Sequence, residues 1–398
     1  MRFARRTNWE LRPNRFSQAL DAHFASGKRL LDLTASNPPE AGLRYDSEAI
    51  LSAFNNPGVL EYHPAPKGLL SARCAVAEYY AEVSSRVADT AGVASCAGPV
   101  SLDQIVLTTS TSEAYTYAFR LLCDPGDEVL IPTPSYPLFE YLAGLQDVRL
   151  VPYDLFYDHG WQIDFYSLTQ AITPHTRAVI LVNPNNPTGS YVSTTEAMQL
   201  NAICRERDMA LIVDEVFLDY TLNEPKPSFA FNTEALTFTL SGVSKISGLP
   251  QMKLAWAVVS GPEEIAAGAL SRIEVIADTY LSMSAPIQYA APVLLQQRQS
   301  VQGQLSSRVR TNLEELDRQT KGTMVSRLAV EGGWYAILRI PRLRSDEEFV
   351  VALLEREGVL VQPGYFYDFR SEGFIVVSLI TPEQIFSEGL GKLLRFLG

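Results

Sequence analysis

The chain has 398 residues, of which 46% are hydrophobic and 20% charged, the profile of an ordinary globular protein with material for about two or three domains. A net charge of −12 argues against nucleic acid as the main partner, and no apolar run approaches the ~18 residues of a membrane span. The four cysteines (Cys74, Cys96, Cys123 and Cys204) lack CxxC spacing and only four histidines accompany them, so no metal site is expected and the thiols read as reduced groups of a cytoplasmic protein.

In chain order, the first feature is a basic start: Arg2, Arg5, Arg6, Arg12 and Arg15 against Glu10 alone. Trp9, Leu11 and Pro13 break any clean amphipathic helix of the presequence kind, so the segment reads as an arm lying on an acidic body or on a partner subunit. The small, breaker-rich stretch from Ala91 to Ser101 reads as a surface connection. Then strands and helices alternate. Ile105–Thr109 is β-prone, and Ser112–Leu122 has a helical pattern. Glu128–Pro132 is a strand, Pro137–Leu145 helical, Val148–Tyr153 a third strand. Ala178–Val182 is a continuous apolar run, as in strands buried on both faces. A helix over Thr194–Arg207 and strands at Ala210–Val213, Thr237–Leu240 and Leu254–Val259 follow. Such alternation predicts an α/β fold, a mostly parallel central sheet flanked by helices. Helices dominate from Glu263 to about Thr320. The remainder mixes strands (Trp334–Ile340, Phe374–Leu379) with helices (Glu347–Glu357, Glu383–Phe396), a smaller α+β layer. The expected division is 1–55 for the arm and part of the small domain, 56–290 for the large domain, and 291–398 for the small C-terminal domain.

Ligands of open α/β sheets gather beyond the carboxyl ends of the strands, which directs attention to three turns. Ser110, Thr111, Ser112 and Glu113 open a helix after the first strand. Hydroxyls and free N–H groups at a helix N-terminus favour an anion, although Ser and Thr are also ordinary caps. The run Asn183-Pro-Asn-Asn-Pro-Thr-Gly189 is a rigid polar turn whose amides can meet a ligand oxygen or simply shape the chain. Asp214-Glu215 ends an apolar run, where a buried carboxylate needs a partner such as a protonated pyridine nitrogen or an arginine.

The fourth feature is Lys245, in Ser241-Gly-Val-Ser-Lys-Ile-Ser-Gly-Leu-Pro-Gln-Met-Lys253. A lysine among small and apolar neighbours is costly unless neutral, paired or covalently engaged. Desolvation lowers its pKa, so its free amine can form a Schiff base with the carbonyl of a substrate or of pyridoxal phosphate.

The turns and the lysine occur in the order Asn-Pro-Asn-Asn-Pro-Thr-Gly, Asp-Glu-Val-Phe, Ser-Lys-x-x-Gly-Leu-Pro-x-x-Lys. From about Tyr62 to Lys253 the chain resembles the fold-type I pyridoxal-phosphate enzymes, in particular the class I/II aminotransferases, whose mark is a lysine Schiff base with an acid on the pyridinium nitrogen. The resemblance implies pyridoxal 5'-phosphate as cofactor and a ping-pong exchange of an amino group between an amino acid and a 2-oxo acid. It implies that Lys245 holds the cofactor and shuttles the Cα proton. Asp214 pairs with the pyridinium nitrogen, Asn186 bonds the phenolic oxygen, and Tyr136 stacks on the ring. Ser110, Thr111, Ser112 and Lys253 bind the phosphate. Tyr62, in Tyr-His-Pro-Ala-Pro-Lys-Gly68, reaches the phosphate of a neighbouring subunit, which implies a homodimer with shared active sites.

The chain also departs from the family pattern. Phe217 stands where a tyrosine usually bonds the phenolic oxygen, with Tyr220 a possible substitute. Gly242 replaces a phosphate-binding serine, and Lys253 gives a point charge where arginine is usual. In Gly373-Phe-Ile-Val-Val-Ser-Leu, Val376 or Val377 falls where an arginine commonly clamps the substrate carboxylate. Arg370, Arg339, Arg272 and the arginines of the arm are the candidates for a displaced anchor. Nothing at Asp278-Thr279-Tyr280 suggests an acidic donor, so a neutral amino donor is expected. Because one fold hosts many chemistries, a β C–S lyase, a decarboxylase and a non-enzymatic cofactor-binding protein remain alternatives.

Overall fold

Continuous apolar runs build the larger of two main sheets. The computed structural model describes residues 1–91, 100–281 and 283–398. After a short strand β1 (Leu31–Asp32) come β2 (Ile105–Thr108), β3 (Glu128–Thr133), β4 (Arg149–Tyr157), β5 (Trp161–Ile163), β6 (Thr176–Val182), β7 (Ala210–Asp214), β8 (Thr237–Gly242) and β9 (Ala255–Ser260). The last eight form one sheet in the order β2-β9-β8-β7-β6-β3-β4-β5. Neighbours from β8 to β4 pair in parallel. β9 runs antiparallel to both β2 and β8, so β2 points the same way as the parallel set. The carboxyl ends of β2, β3, β6, β7 and β8 therefore share one edge with the amino end of β9. The central strands β7 and β8 are buried almost throughout, as helices covering both faces require.

The small layer has β10 (Ser326–Arg327), β11 (Tyr335–Arg339), β12 (Val359–Leu360), β13 (Gln362–Pro363) and β14 (Phe374–Ser378). Four of them form an antiparallel sheet ordered β10-β11-β14-β13, while β12 pairs in parallel with β1. β1 thus joins the N-terminal segment to the C-terminal one. Its continuation carries Leu33 O, which accepts the Ser378 N–H at 2.7 Å.

The expected elements appear with small shifts at their ends, and the fold is the expected mostly parallel α/β sheet flanked by helices. The helical stretch after Glu263 divides into Glu263–Thr279, Ala285–Gln296 and Arg298–Thr320. Several elements escaped the pattern, among them the helices Arg15–Ala25, Leu70–Ala91 and Phe165–Ala171 and the short hairpin strand β5. The connection expected at Ala91–Ser101 lies mostly outside the described residues, as does Cys96. Cys74, Cys123 and Cys204 are free thiols. No helix among the described residues is long and apolar enough to cross a membrane. The basic arm lies on the chain's own body: Arg6 pairs with Asp147, and Trp9 meets Tyr141 edge-on at 5.8 Å.

Candidate active site

The shared sheet edge collects most of the residues singled out from the sequence, because each follows or precedes one of its strands. Ser110, Thr111 and Ser112 follow β2, Tyr136 follows β3, and Asn186 follows β6. Asp214 ends β7, Lys245 follows β8, and Lys253 lies two residues before β9. The order of the strands, set by backbone pairing, makes neighbours of Asn183 and Asp214: the Asn183 N–H donates to Asp214 O at 2.8 Å.

Lys245 sits in a single helical turn, Val243–Ile246. Its Nζ donates to Ser36 O at 2.9 Å and lies 5.0 Å from the Trp334 ring centre and 5.7 Å from that of Phe217. Burial lowers its pKa to about 8, against the pull of Asp214. Near neutral pH about a tenth of the amine is therefore unprotonated and nucleophilic, far more than for an ordinary lysine. Desolvation acts oppositely on Asp214, raising it to about 6, while the Val216 N–H at 3.1 Å, the Tyr115 hydroxyl at 3.4 Å and Lys245 hold it down. The carboxylate is thus ionised near neutral pH and positioned by neighbours on two elements.

Glu215, the next residue, has a different task. It accepts from Ser228 Oγ at 2.5 Å, from the Phe229 N–H at 2.8 Å and from Asn183 Nδ2 at 3.5 Å. Burial raises its pKa to about 7. It ties the 228–229 loop to the strand ends, away from Lys245.

Ser110 caps the helix Thr111–Leu122, its Oγ accepting from the Glu113 N–H at 3.2 Å. The cap leaves the first-turn N–H groups of Thr111 and Ser112 at the positive end of the helix dipole. Lys253 is exposed, in left-handed backbone with φ of 53°. Tyr136 is 43% exposed and edge-on to Phe139 at 6.2 Å, and burial with the nearby Asp214 charge raises its pKa. Asn185 Oδ1 and Asn186 Oδ1 are buried without hydrogen-bond partners among the described residues. A buried amide oxygen without a partner costs about 1–3 kcal/mol and marks a place for a ligand or an ordered water. Tyr62 is not gathered with the rest: it is 85% exposed.

The departures acquire physical reasons. Gly242 is dictated by the crossing of β9: a Cβ there would stand 2.9 Å from Leu254 O and from Ala255 Cβ. Tyr220 cannot substitute for the absent tyrosine, since its hydroxyl donates to Lys245 O at 2.6 Å. Phe217 is packed edge-on against Trp334 at 4.9 Å. Val376 and Val377 are fully buried. Several of the candidate arginines are engaged elsewhere. Arg370 pairs with Asp154 at 2.6 Å, Arg339 lies over the Phe374 ring, and Arg272 donates to Gly268 O of its own helix. Of the arm, Arg6 is held by Asp147 and Arg12 by Glu10.

Sequence reading missed Ser36, Tyr115 and Trp334. Tyr115 had a usable signal, lying four residues after Thr111 and hence one turn further along the same helix face. Ser36 and Trp334 had none, for they reach Lys245 only through the junction of the two layers.

Comparison with known proteins bears on this arrangement. The family model for aminotransferase class I and II matches residues 28–386. The chain is 28% identical over 384 residues to Glutamate-pyruvate aminotransferase AlaA of Escherichia coli K12, covering 93% of this chain and 91% of that protein. It is also 28% identical over 383 residues to an alanine aminotransferase of Mycobacterium tuberculosis, covering 94% and 86%. Among solved structures, an alanine aminotransferase from Pyrococcus furiosus superposes with a TM-score of 0.87 at 21% identity, over 100% of this chain and 99% of that one. The carboxyl-edge site thus sits in a chain matched nearly end to end, and the protein belongs to the aminotransferase class I and II family.

Proposed function

We propose that this aminotransferase uses pyridoxal 5'-phosphate, held by Lys245 as a Schiff base, to move an amino group between a neutral amino acid and a 2-oxo acid in ping-pong order. The observation that carries the reading is Lys245 Nζ, lowered to about 8 and electrostatically coupled to Asp214, at the carboxyl edge of the parallel strands. The surrounding residues fit the cofactor. The unpartnered Asn186 Oδ1 marks a ligand-facing amide, and its side-chain nitrogen would serve the phenolic oxygen. The first-turn N–H groups at Thr111 and Ser112, capped by Ser110, suit a phosphate, with Lys253 adding a positive charge. Tyr136 would flank the ring.

When bound, the cofactor supplies a conjugated electron sink for the charge left at the substrate Cα. Asp214 would hold a proton at the ring nitrogen, a role for a carboxylate kept ionised and fixed by Tyr115 and Val216. Lys245 Nζ would take the Cα proton and return it, which requires an amine whose pKa lies near the working pH. The aromatic wall of Phe217 and Trp334 would exclude water from Nζ.

Tyr62, exposed at the surface of the single chain, is proposed to reach the phosphate in a second copy, making a homodimer with shared sites. The proposed division is 1–55, 56–290 and 291–398. Leu294 and Leu295 packing with the core of the larger sheet, and Val301 and Leu305 with that of the smaller, argue for moving the second boundary a few residues later, to between Leu295 and Val301. A cytoplasmic location is proposed from the free thiols.

The test is to add pyridoxal phosphate and follow its absorbance. Wild type should acquire a band that K245A lacks, and an amino acid should convert that band to the amine form without releasing ammonia. A wild-type chain that leaves the cofactor spectrum unchanged overturns the reading.

A further inference from the structure

The small sheet turns one face toward the site. Antiparallel partners share a face, and the register aligns Tyr335 with Ser378 in one row, and Ile337, Val376 and Gln362 in the next. Tyr335 packs against Phe217 at 6.3 Å, and Ser378 Oγ donates to Ala35 O at 2.5 Å, next to the Ser36 carbonyl that holds Lys245. The second row thus lies one strand repeat from the contacts of Lys245. Within it Ile337 and Val376 are buried, and Gln362, partly buried, is the polar member.

Gln362 is held in a defined orientation. The Tyr367 hydroxyl donates to its Oε1. The amide nitrogen makes no hydrogen bond among the described residues and has two protons to offer. Tyr367 O in turn accepts the Ser135 N–H at 3.0 Å, next to Tyr136. The hydroxyls of Tyr136, Tyr335 and Tyr367 are near enough to perturb one another, and Tyr136 feels Asp214. Tyr367 thus links Gln362, through its hydroxyl, to the loop carrying Tyr136, through its carbonyl. No guanidinium among the described residues joins this link: Arg370 is engaged by Asp154 and Arg339 lies over the Phe374 ring.

We propose that Gln362, oriented by Tyr367, is a specificity-determining residue that hydrogen-bonds an oxygen of the substrate, so that this enzyme anchors its substrate with neutral donors and favours neutral amino donors over dicarboxylic ones. The inference rests on the aminotransferase site described above. A neutral amide holds a carboxylate through hydrogen bonds but offers no net charge to offset a second carboxylate, whereas a guanidinium offers both.

The experiment measures binding of propionate to the cofactor-loaded protein by calorimetry at low and high salt, together with KM for alanine and glutamate. Wild type should bind propionate with affinity nearly independent of salt, because no paired charge is being screened. Q362L should weaken propionate and raise KM for alanine by about tenfold, the scale of one hydrogen bond to a charged group, with kcat changed much less. V376R should add a salt-dependent gain in propionate affinity and improve glutamate relative to alanine. If V376R does not fold, Q362L and R370A decide. Unchanged propionate binding in Q362L overturns the proposal, as does strongly salt-dependent wild-type binding that R370A abolishes. Failure of the chain to take up pyridoxal phosphate would strike the cofactor reading instead, and propionate binding to the unloaded protein and to its Q362L variant would then still test the anchor.

Discussion

The two walls of the cleft are built on opposite principles. The wall formed by the carboxyl edge of the large sheet carries charge: Asp214, Lys245, Lys253 and the dipole of the helix Thr111–Leu122. The wall formed by the small sheet is neutral and largely aromatic: Trp334, Tyr335 and Tyr367, with Gln362 and the valines. Parallel strands explain the first, since their ends leave turns and helix starts free to hold polar groups. The second belongs to an antiparallel sheet whose residues are already committed to a core. On the proposed reading, the charged groups that handle the proton cluster on one wall, while groups suited to recognising the substrate can change on the other without disturbing them.

This contrast can be broken by removing charge from the first wall. K245A should lower transamination by about 10⁴-fold or more, the scale of losing both nucleophile and general base, measured as single-turnover conversion of an amino donor. D214A should lower kcat by about 10²- to 10³-fold, the usual scale of a lost electrostatic stabiliser. Retained turnover in either would mean that the charged wall is not the reacting one.

Changes on the aromatic side should be smaller. F217Y places a hydroxyl near Lys245, and we expect the spectroscopic pKa of the cofactor–lysine linkage to fall by about one unit, equivalent to about 1.4 kcal/mol. An unchanged absorbance titration would mean that the hydroxyl points elsewhere. Y220F should leave that titration alone and destabilise the fold by about 1 kcal/mol, read from denaturant unfolding, because the Tyr220 hydroxyl donates to the Lys245 carbonyl at 2.6 Å.

The smallest effect concerns Glu215, whose pKa rises from 4.5 to about 7 on folding. A raised folded-state value contributes stability below the unfolded pKa and loses it as pH rises through the folded one. The Tm of E215Q relative to wild type should therefore be higher at about pH 8 than at about pH 4. The reverse trend would mean that the hydrogen bonds from Ser228 and Phe229 outweigh burial.

Much of the charged wall was legible in the sequence. Apolar runs located the strands, and the residues just past them gather at the shared sheet edge, since position relative to a strand end is a local property. The helix Leu70–Ala91 went unread although its buried residues Ala72, Ala75, Val76, Tyr79, Tyr80 and Val83 recur at helical spacing, so its signal was present in the sequence. The neutral wall was legible only as departures. Val376 or Val377 could be seen to stand where an arginine is usual, but not that Ile337 and Gln362 share a row with Val376, which depends on pairing between distant strands.

The sequence alone thus determined the mostly parallel α/β fold, the family, and the place of Lys245, Asp214 and Asn186 at or just past strand ends, because hydrophobic period and turn chemistry are written in neighbouring residues. Tertiary structure decided the rest. Tyr220 is spent on a backbone carbonyl, Gly242 is forced by the passage of β9, Arg370 is taken by Asp154, and Ser36 receives the Lys245 amine. Each is a contact between segments well separated in the chain, and such a contact is fixed only when the two sheets pack.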